Sequence, residues 1–254
     1  LNIFQKLSEP RSVAIQRHQI GIIYADMKQF GQAEESYRKA LAISIRENDR
    51  DGEGRELAEL GNLYNTMGRL EEAVTFYRQS ADIYKIGDLA SEGLVHSNMA
   101  IALIQLKRYD EARRELLRAI ECKEPFGLSA QIWNTWDILH DLEKAVGNTK
   151  EALSARQKAI ESYTQYRLAG GESQSPTGQL IAMTAQAIQQ GNKEIEQTLD
   201  QYLASADDIR LKTALTKLKA ILNGARDPSL ADDPNLFYMD AVELRLLLAS
   251  LQAK

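Results

Sequence analysis

The sequence predicts an all-α fold: a solenoid of stacked helical hairpins, closed at its C-terminal end by further helices. Two observations carry this prediction. The stretches "KQFGQAEESYRKALAIS" (28–44), "GRLEEAVTFYRQSADIY" (68–84), "KRYDEARRELLRAIECK" (107–123) and "GNTKEALSARQKAIESY" (147–163) place an alanine at one shared position. Those alanines, Ala33, Ala73, Ala112 and Ala152, lie 40, 39 and 40 residues apart. A fixed period of this length marks a stack of supersecondary units. Within each period the apolar residues recur at helical spacing, and alternating β-branched runs are scarce.

The chain opens inside a repeat. Leu1, Phe4 and Leu7 read as the tail of a second helix, Ser8 as a cap, and Pro10 as a first-turn proline of the next helix. There is no initiator methionine and no cap over the apolar edge that a solenoid end must cover. Further residues are therefore expected upstream.

The second unit shows how each hairpin is built. Leu57, Leu60, Gly61 and Tyr64 fall at i, i+3, i+4 and i+7 on one helix face, and Ala73, Tyr77, Ala81 and Tyr84 form the facing stripe. Gly68 between them tolerates positive φ and ends the first helix. Gly61 and Ala73 let two backbones approach while Tyr64 and Tyr77 fill the space beside them. A large side chain at Ala73 is expected to overpack that contact, at about 1–3 kcal/mol.

These residues resemble the tetratricopeptide repeat family. Leu57-x-x-Leu60-Gly61-x-x-Tyr64 with Ala73-x-x-x-Tyr77 is similar to its signature, with leucine for tryptophan and tyrosine for phenylalanine. Ile20-Gly21-x-x-Tyr24 with Ala33, Tyr37 and Ala40 matches equally well. The third copy has Met99-Ala100-x-x-Leu103, then Ala112, Leu116 and Ala119. The fourth keeps Trp136, Leu139 and Ala152, but His140 stands where a small residue belongs, and Glu143 and Arg156 replace the two aromatic positions. The resemblance implies a right-handed α-α superhelix. The period near 40, against about 34 in the usual unit, resembles the kinesin-light-chain and cell-polarity-adaptor subtype, which also occurs in bacterial multidomain signalling and defence ATPases. "ENDRDGEGRELAELGNLY" and "KIGDLASEGLVHSNMA" read as acidic, glycine-bearing junctions between long helices.

The expected organisation is an array over 1–168 (a half repeat plus four hairpins), a flexible break at 169–178 and a C-terminal helical cap over 179–254. The break, "GGESQSPTG" (170–178), is glycine- and serine-rich. Beyond it come a helix pair turning at Gly191-Asn192, an amphipathic helix closed by Gly224, an acidic turn "ARDPSLADDPN" (225–235), and a last apolar helix with Leu244, Leu246, Leu247, Leu248 and Leu251. That apolar density calls for a surface to cover, which favours a cap over a detached globular module.

Composition narrows the function. The 254 residues are 44% hydrophobic and 26% charged, with a net charge of −5. The negative balance argues against nucleic acid, and no apolar run approaches the roughly 18–20 residues of a membrane span. The N-terminal residues lack a signal-peptide pattern, and Cys122 alone makes neither a disulfide framework nor a cysteine zinc site. A cytoplasmic setting follows as the expectation.

No catalytic, metal or cofactor site is expected. His18, His96 and His140 are scattered, and no G-x-S-x-G, H-E-x-x-H or P-loop string occurs. The acidic pairs Glu34-Glu35, Glu71-Glu72 and Asp110-Glu111 read as helix starts, where carboxylates suit the dipole. Cys122 reads as an incidental thiol and His140 as a packing substitution.

Functional residues are then sought on the first helices, which the resemblance implies line a concave groove for peptides or partner helices. Repeat equivalence with Gly21, Gly61, Ala100 and His140 gives His18, Ile22 and Asp26; Arg55, Asn62, Asn65 and Thr66; Ser97, Asn98, Ile101 and Gln105; and Asn134, Asp137, Asp141 and Lys144. The partner-binding candidates are Arg55, Asn62, Asn65, Ser97, Asn98, Ile101, Gln105, Asp137 and Asp141. An asparagine amide both donates to and accepts from an extended backbone. A plain solvated face is the competing reading. The set lacks the convergent basic residues that clamp a chain-terminal carboxylate. The expected function is a non-enzymatic interaction scaffold for a protein or peptide partner. The alternative is the regulatory or sensor segment of a larger bacterial STAND-type ATPase or effector, with another domain of the same chain as partner.

Overall fold

The computed structural model describes residues 9–252. Among them all regular structure is helical, with twelve α-helices, two 3-10 segments and no strand. The expected helix tail at Leu1, Phe4 and Leu7 and the Ser8 cap lie outside the described residues. Pro10 opens the first helix as expected, and Glu9 is its N-cap residue. The chain divides into two compact units, one ending at Ala152 and the other beginning at Leu153.

The first unit is a solenoid of helical hairpins. Its helices are α1 (Pro10–Asp26), α2 (Phe30–Arg46), α3 (Arg50–Thr66), α4 (Leu70–Tyr84), α5 (Leu89–Gln105), α6 (Tyr109–Lys123), α7 (Ile132–Ala145) and the start of α8 (Thr149–Leu168). Consecutive helices pair as α1 with α2, α3 with α4 and α5 with α6, and each second helix packs on the next first helix. First helices of neighbouring hairpins also touch one another. The predicted stripes are the core: Leu57, Leu60, Tyr64, Ala73, Tyr77, Ala81 and Tyr84 are all buried. Gly61 is small because a Cβ there would sit 2.6 Å from Cδ1 of Tyr77, and Gly21 because one would sit 2.5 Å from Cε1 of Tyr37. Both tyrosine rings therefore lie flat against a backbone that offers no side chain.

One backbone device makes every turn inside a hairpin. Lys28, Gly68, Lys107 and Gly147, each five residues before the shared alanine, have φ of 58, 73, 60 and 83 degrees in chain order. The next residue's N–H reaches back to the carbonyl of Tyr24, Tyr64, Leu103 and Glu143 respectively, at 2.8–2.9 Å. This closes the helix end as a Schellman motif, and the second helix starts at once.

The junctions between hairpins are shorter than the sequence suggests. Gly52 and Gly54 lie inside α3 and Gly93 inside α5, all buried, so they are packing positions rather than loop residues. A Cβ on Gly54 would meet the Tyr84 ring at 2.8 Å. Asp49 and Asp88 cap the two helices by accepting from the N–H of Gly52 and Ser91, each at 3.1 Å. The acidic pairs are not all helix starts. Glu71-Glu72 and Asp110-Glu111 occupy first turns, but Glu34-Glu35 sit one turn further in, where they bond to Arg38 and Lys39 on their own helix.

The junction from α6 to α7 differs from the other two. Glu124–Ala130 forms a 3-10 segment, kinked at Gly127 (φ 56, ψ −132 degrees) and followed by Gln131 in the left-handed region. It takes the place of the first turn of a helix, since α7 has 14 residues where α5 has 17. The period of 40 survives while the local structure changes.

The second unit holds the rest of α8, then α9 (Gly178–Gln190), α10 (Ile195–Ser205), α11 (Ile209–Leu222) and α12 (Tyr238–Gln252). Gly191 and Gly224 end α9 and α11 with positive φ, at the positions expected. The acidic turn contains a short 3-10 segment, Pro228–Asp232, with Ala231 buried. Leu199, Leu215, Leu218, Ile221, Leu244 and Leu248 form its core. The stretch 171–176 is irregular, as its composition suggests, but it has polar anchors that composition did not reveal. The Tyr163 hydroxyl accepts from the Gln174 N–H (2.8 Å), and Asp240 accepts from the hydroxyls of Ser175 and Thr177 (2.7 Å from Thr177).

Candidate functional site

The candidate site lies on the first helices α3, α5 and α7. Asn62, Asn65, Thr66, Asn98 and Ile101 converge with Tyr77 on a cavity of about 150 Å³. The Asn62 Oδ1 accepts from the Tyr77 hydroxyl (2.8 Å) and from Asn98 Nδ2 (3.2 Å), which joins two successive hairpins through one amide oxygen. Its own Nδ2 donates to Glu59 at 3.3 Å. The Asn65 Oδ1 is buried and accepts no hydrogen bond, a costly state for an amide oxygen unless something else supplies the donor.

Asn98 and Ile101 also line a second cavity of about 420 Å³ between α5, α6 and α7. Its walls carry the apolar side chains of Leu94, Phe126 and Ile138, with Ser97, Asn134 and Gln131 among its polar ones. The 3-10 segment supplies one side of this space. Ser97 is buried there, and its hydroxyl donates to the Gly93 carbonyl at 2.9 Å.

The other predicted residues are placed elsewhere. Arg55 contacts Asp51 at 3.4 Å and Glu56 at 3.5 Å. Gln105 and Asp141 are exposed, Asp137 is half-buried, and none of the three lines either cavity. Lys144, Asp26 and Ile22 are exposed. His18 faces the fully buried Glu56 at 3.1 Å, and that hydrogen bond raises its pKa above the usual histidine value. His140 is buried, with Nδ1 2.8 Å from the Ala152 carbonyl oxygen, which makes it a hairpin contact in place of a small residue. Cys122 is buried too, and burial pushes its thiol up to about 11.

One residue was missed. Lys123 Nζ donates to the hydroxyls of Ser97 (3.0 Å) and Thr135 (2.8 Å) and faces the larger cavity. Burial holds its pKa below the ordinary lysine value. The repeat register contains the signal that finds it. Eleven residues after the shared alanine stand Ser44, Tyr84, Lys123 and Tyr163, and the other three are core side chains. A lysine in that column is out of place.

A further depression of about 500 Å³ lies by the turns near Lys107 and Asn148. Its arginines are already paired, Arg108 with Glu111 and Glu71, Arg113 with Asp110 and Glu143.

Residues 11–86 match the tetratricopeptide repeat family. These residues are tetratricopeptide repeats. They span α1 to α4, and the same register continues through Ala112 and Ala152. Solved structures of similar fold include BtubC (BKLC) from P. vanneervenii, at 18% identity and a TM-score of 0.60 over 85% of this chain and 83% of that one. The apo form of RapI has the same identity and TM-score over 98% and 84%. A Rap protein complexed with Competence and Sporulation Factor aligns at 17% identity and a TM-score of 0.50, over 93% and 66%. At such identities the likeness concerns the fold alone. No curated sequence relative matches the chain. Among the described residues, no helix is long and apolar enough to cross a membrane, and no cluster of histidine, cysteine or carboxylate side chains is suited to a metal ion.

Proposed function

We propose that the tetratricopeptide repeats bind an extended segment of a peptide or partner protein along the face built by α3, α5 and α7. The observation that carries this reading is the convergence of Asn62, Asn65 and Asn98 on one cavity. An extended backbone presents N–H and C=O groups in alternation, and asparagine amides answer both without any demand on side-chain sequence. The fold's likeness to a Rap protein solved with Competence and Sporulation Factor supports a ligand-holding role for such an array. The 40-residue spacing supports the kinesin-light-chain-like subtype.

The test is selection of a displayed peptide library on the purified chain, followed by calorimetry of the selected peptides. Asn65→Ala and Asn98→Ala should each weaken binding by about 0.5–1.5 kcal/mol, with melting temperatures nearly unchanged. Gln79→Ala and Arg114→Ala, exposed on the second helices, should leave affinity intact. Peptides that respond only to the second-helix variants would place the binding surface on the opposite face.

A further inference from the structure

The larger cavity beside α5, α6 and α7 has a chemistry of its own. Lys123 offers three N–H donors, and its two hydrogen bonds go to hydroxyls. Among the described residues no carboxylate pairs with it, and none lines the cavity. A half-buried ammonium whose hydrogen bonds go only to neutral groups is an incomplete arrangement, because a charge drawn out of water is normally matched by an opposite one. Leu94, Ile101, Phe126 and Ile138 supply apolar walls, so the matching anion has a hydrocarbon body. The volume of about 420 Å³ falls within the roughly 300–1,000 Å³ of small-molecule sites that pair apolar walls with a few placed polar groups.

The space is local to this junction. Where Lys123 stands, the neighbouring hairpins bury Tyr84 and Tyr163. Where the 3-10 segment stands, α3 and α5 begin directly after a capping aspartate. Both departures from the repeat line the same cavity.

We propose that this cavity binds a small organic carboxylate with an apolar body, its carboxylate on Lys123 Nζ and its hydrocarbon part against Phe126, Leu94 and Ile138. The site is separate from the asparagine cavity, which Lys123 does not line, but Asn98 and Ile101 border both. An occupant is thereby placed to affect what the asparagines hold.

The test titrates the full chain with hexanoate, phenylacetate and 3-phenylpropionate, each beside its neutral amide, by calorimetry and by NMR of the Phe126 ring. At least one acid should bind saturably, with its amide about tenfold or more weaker, as loss of a charge-assisted hydrogen bond implies. Lys123→Met should abolish the preference for acid over amide, and Asn65→Ala should leave it intact. If Lys123→Met melts much earlier than the wild type, Lys123→Gln and the Phe126 shifts in the wild type decide instead. The proposal falls if no acid binds saturably, if acid and amide bind alike, if Phe126 does not respond, or if only acidic peptides bind. Peptide binding that depends on Asn65 without any acid preference would overturn this site and leave the asparagine reading standing.

Discussion

Arg113 and Glu143 join the third hairpin to α7 through a two-pronged ion pair, Nε to Oε1 at 2.5 Å and Nη2 to Oε2 at 2.9 Å. The equivalent positions two hairpins earlier hold Glu34 and Tyr64, joined by a hydroxyl-to-carboxylate hydrogen bond of 2.7 Å. The same contact is thus made with the acid on opposite sides. Arg113→Ala leaves Glu143 buried without its cation and should cost about 3–5 kcal/mol in urea unfolding. The double change Arg113→Glu with Glu143→Tyr copies the first junction and should recover more than half of that loss. A double variant no more stable than Arg113→Ala would show that the two junctions are not interchangeable.

The same pair sets an acid limit. The Arg113 guanidinium, above all through its hydrogen bonds, holds the Glu143 carboxyl below the usual range. A lowered folded value means the stabilisation is present above the unfolded pKa and is lost as pH falls through the folded one. The stability gap between wild type and Glu143→Gln should therefore shrink in melts run from pH 6 down to pH 3.

His18 and Glu56 have the opposite sign. The hydrogen bond to Glu56 raises the His18 pKa, with Glu56 and Glu59 adding charge attraction and burial and Arg55 opposing it. Its contribution is complete below the unfolded value near 6.5 and fades as pH rises through the higher folded value. The melting temperature of the wild type relative to His18→Gln should fall between pH 6 and pH 8.5. A constant difference would mean the ring does not titrate in this range.

Gly61 and Tyr77 test the packing that defines the repeat. Gly61→Ala drives a methyl into a ring that is itself enclosed, and about 1–3 kcal/mol should be lost. Tyr77→Leu added to Gly61→Ala should cost less than the two single changes together, because the ring that clashes is gone. Strict additivity would show that Gly61 serves something other than ring contact.

Lys28 pays a backbone penalty that glycine avoids. It is exposed, and its φ is 58 degrees. A left-handed non-glycine residue costs roughly 1–2 kcal/mol, part of which the entropy of glycine returns. Lys28→Gly should stabilise the chain by about 0.5–1 kcal/mol in chemical denaturation, whereas Gly68→Lys should destabilise it by a similar amount.

The fold was legible because its determinants repeat. Ala33, Ala73, Ala112 and Ala152 set a register that periodicity alone exposes, and the stripes around them are buried as predicted. The turn lysines were not recognisable as turn residues, since their role is a backbone angle that any register position can adopt at some cost. The asparagine cavity was reachable through repeat equivalence. Lys123 was not, because groove equivalence concerns the first helices and this residue ends a second one. Pro125 and Gly127 marked the altered junction, but the preserved spacing of 40 concealed it. The anchors of 171–176 escaped for another reason: they join Ser175 and Thr177 to Asp240, and nothing local in the sequence links residues so far apart.

The column that reads Ser44, Tyr84, Lys123 and Tyr163 has a consequence for how such a molecule acquires a vacancy. On either side of Lys123 the column is filled by a tyrosine ring, Tyr84 before it and Tyr163 after it. At Lys123 the ring is replaced by a flexible chain that lines a hollow. Lys123→Tyr should then act as a stopper, closing the hollow from within while the asparagines of the adjoining cavity keep their places. Nature's route to a chamber here is a missing part, and the route to sealing it is to put the part back.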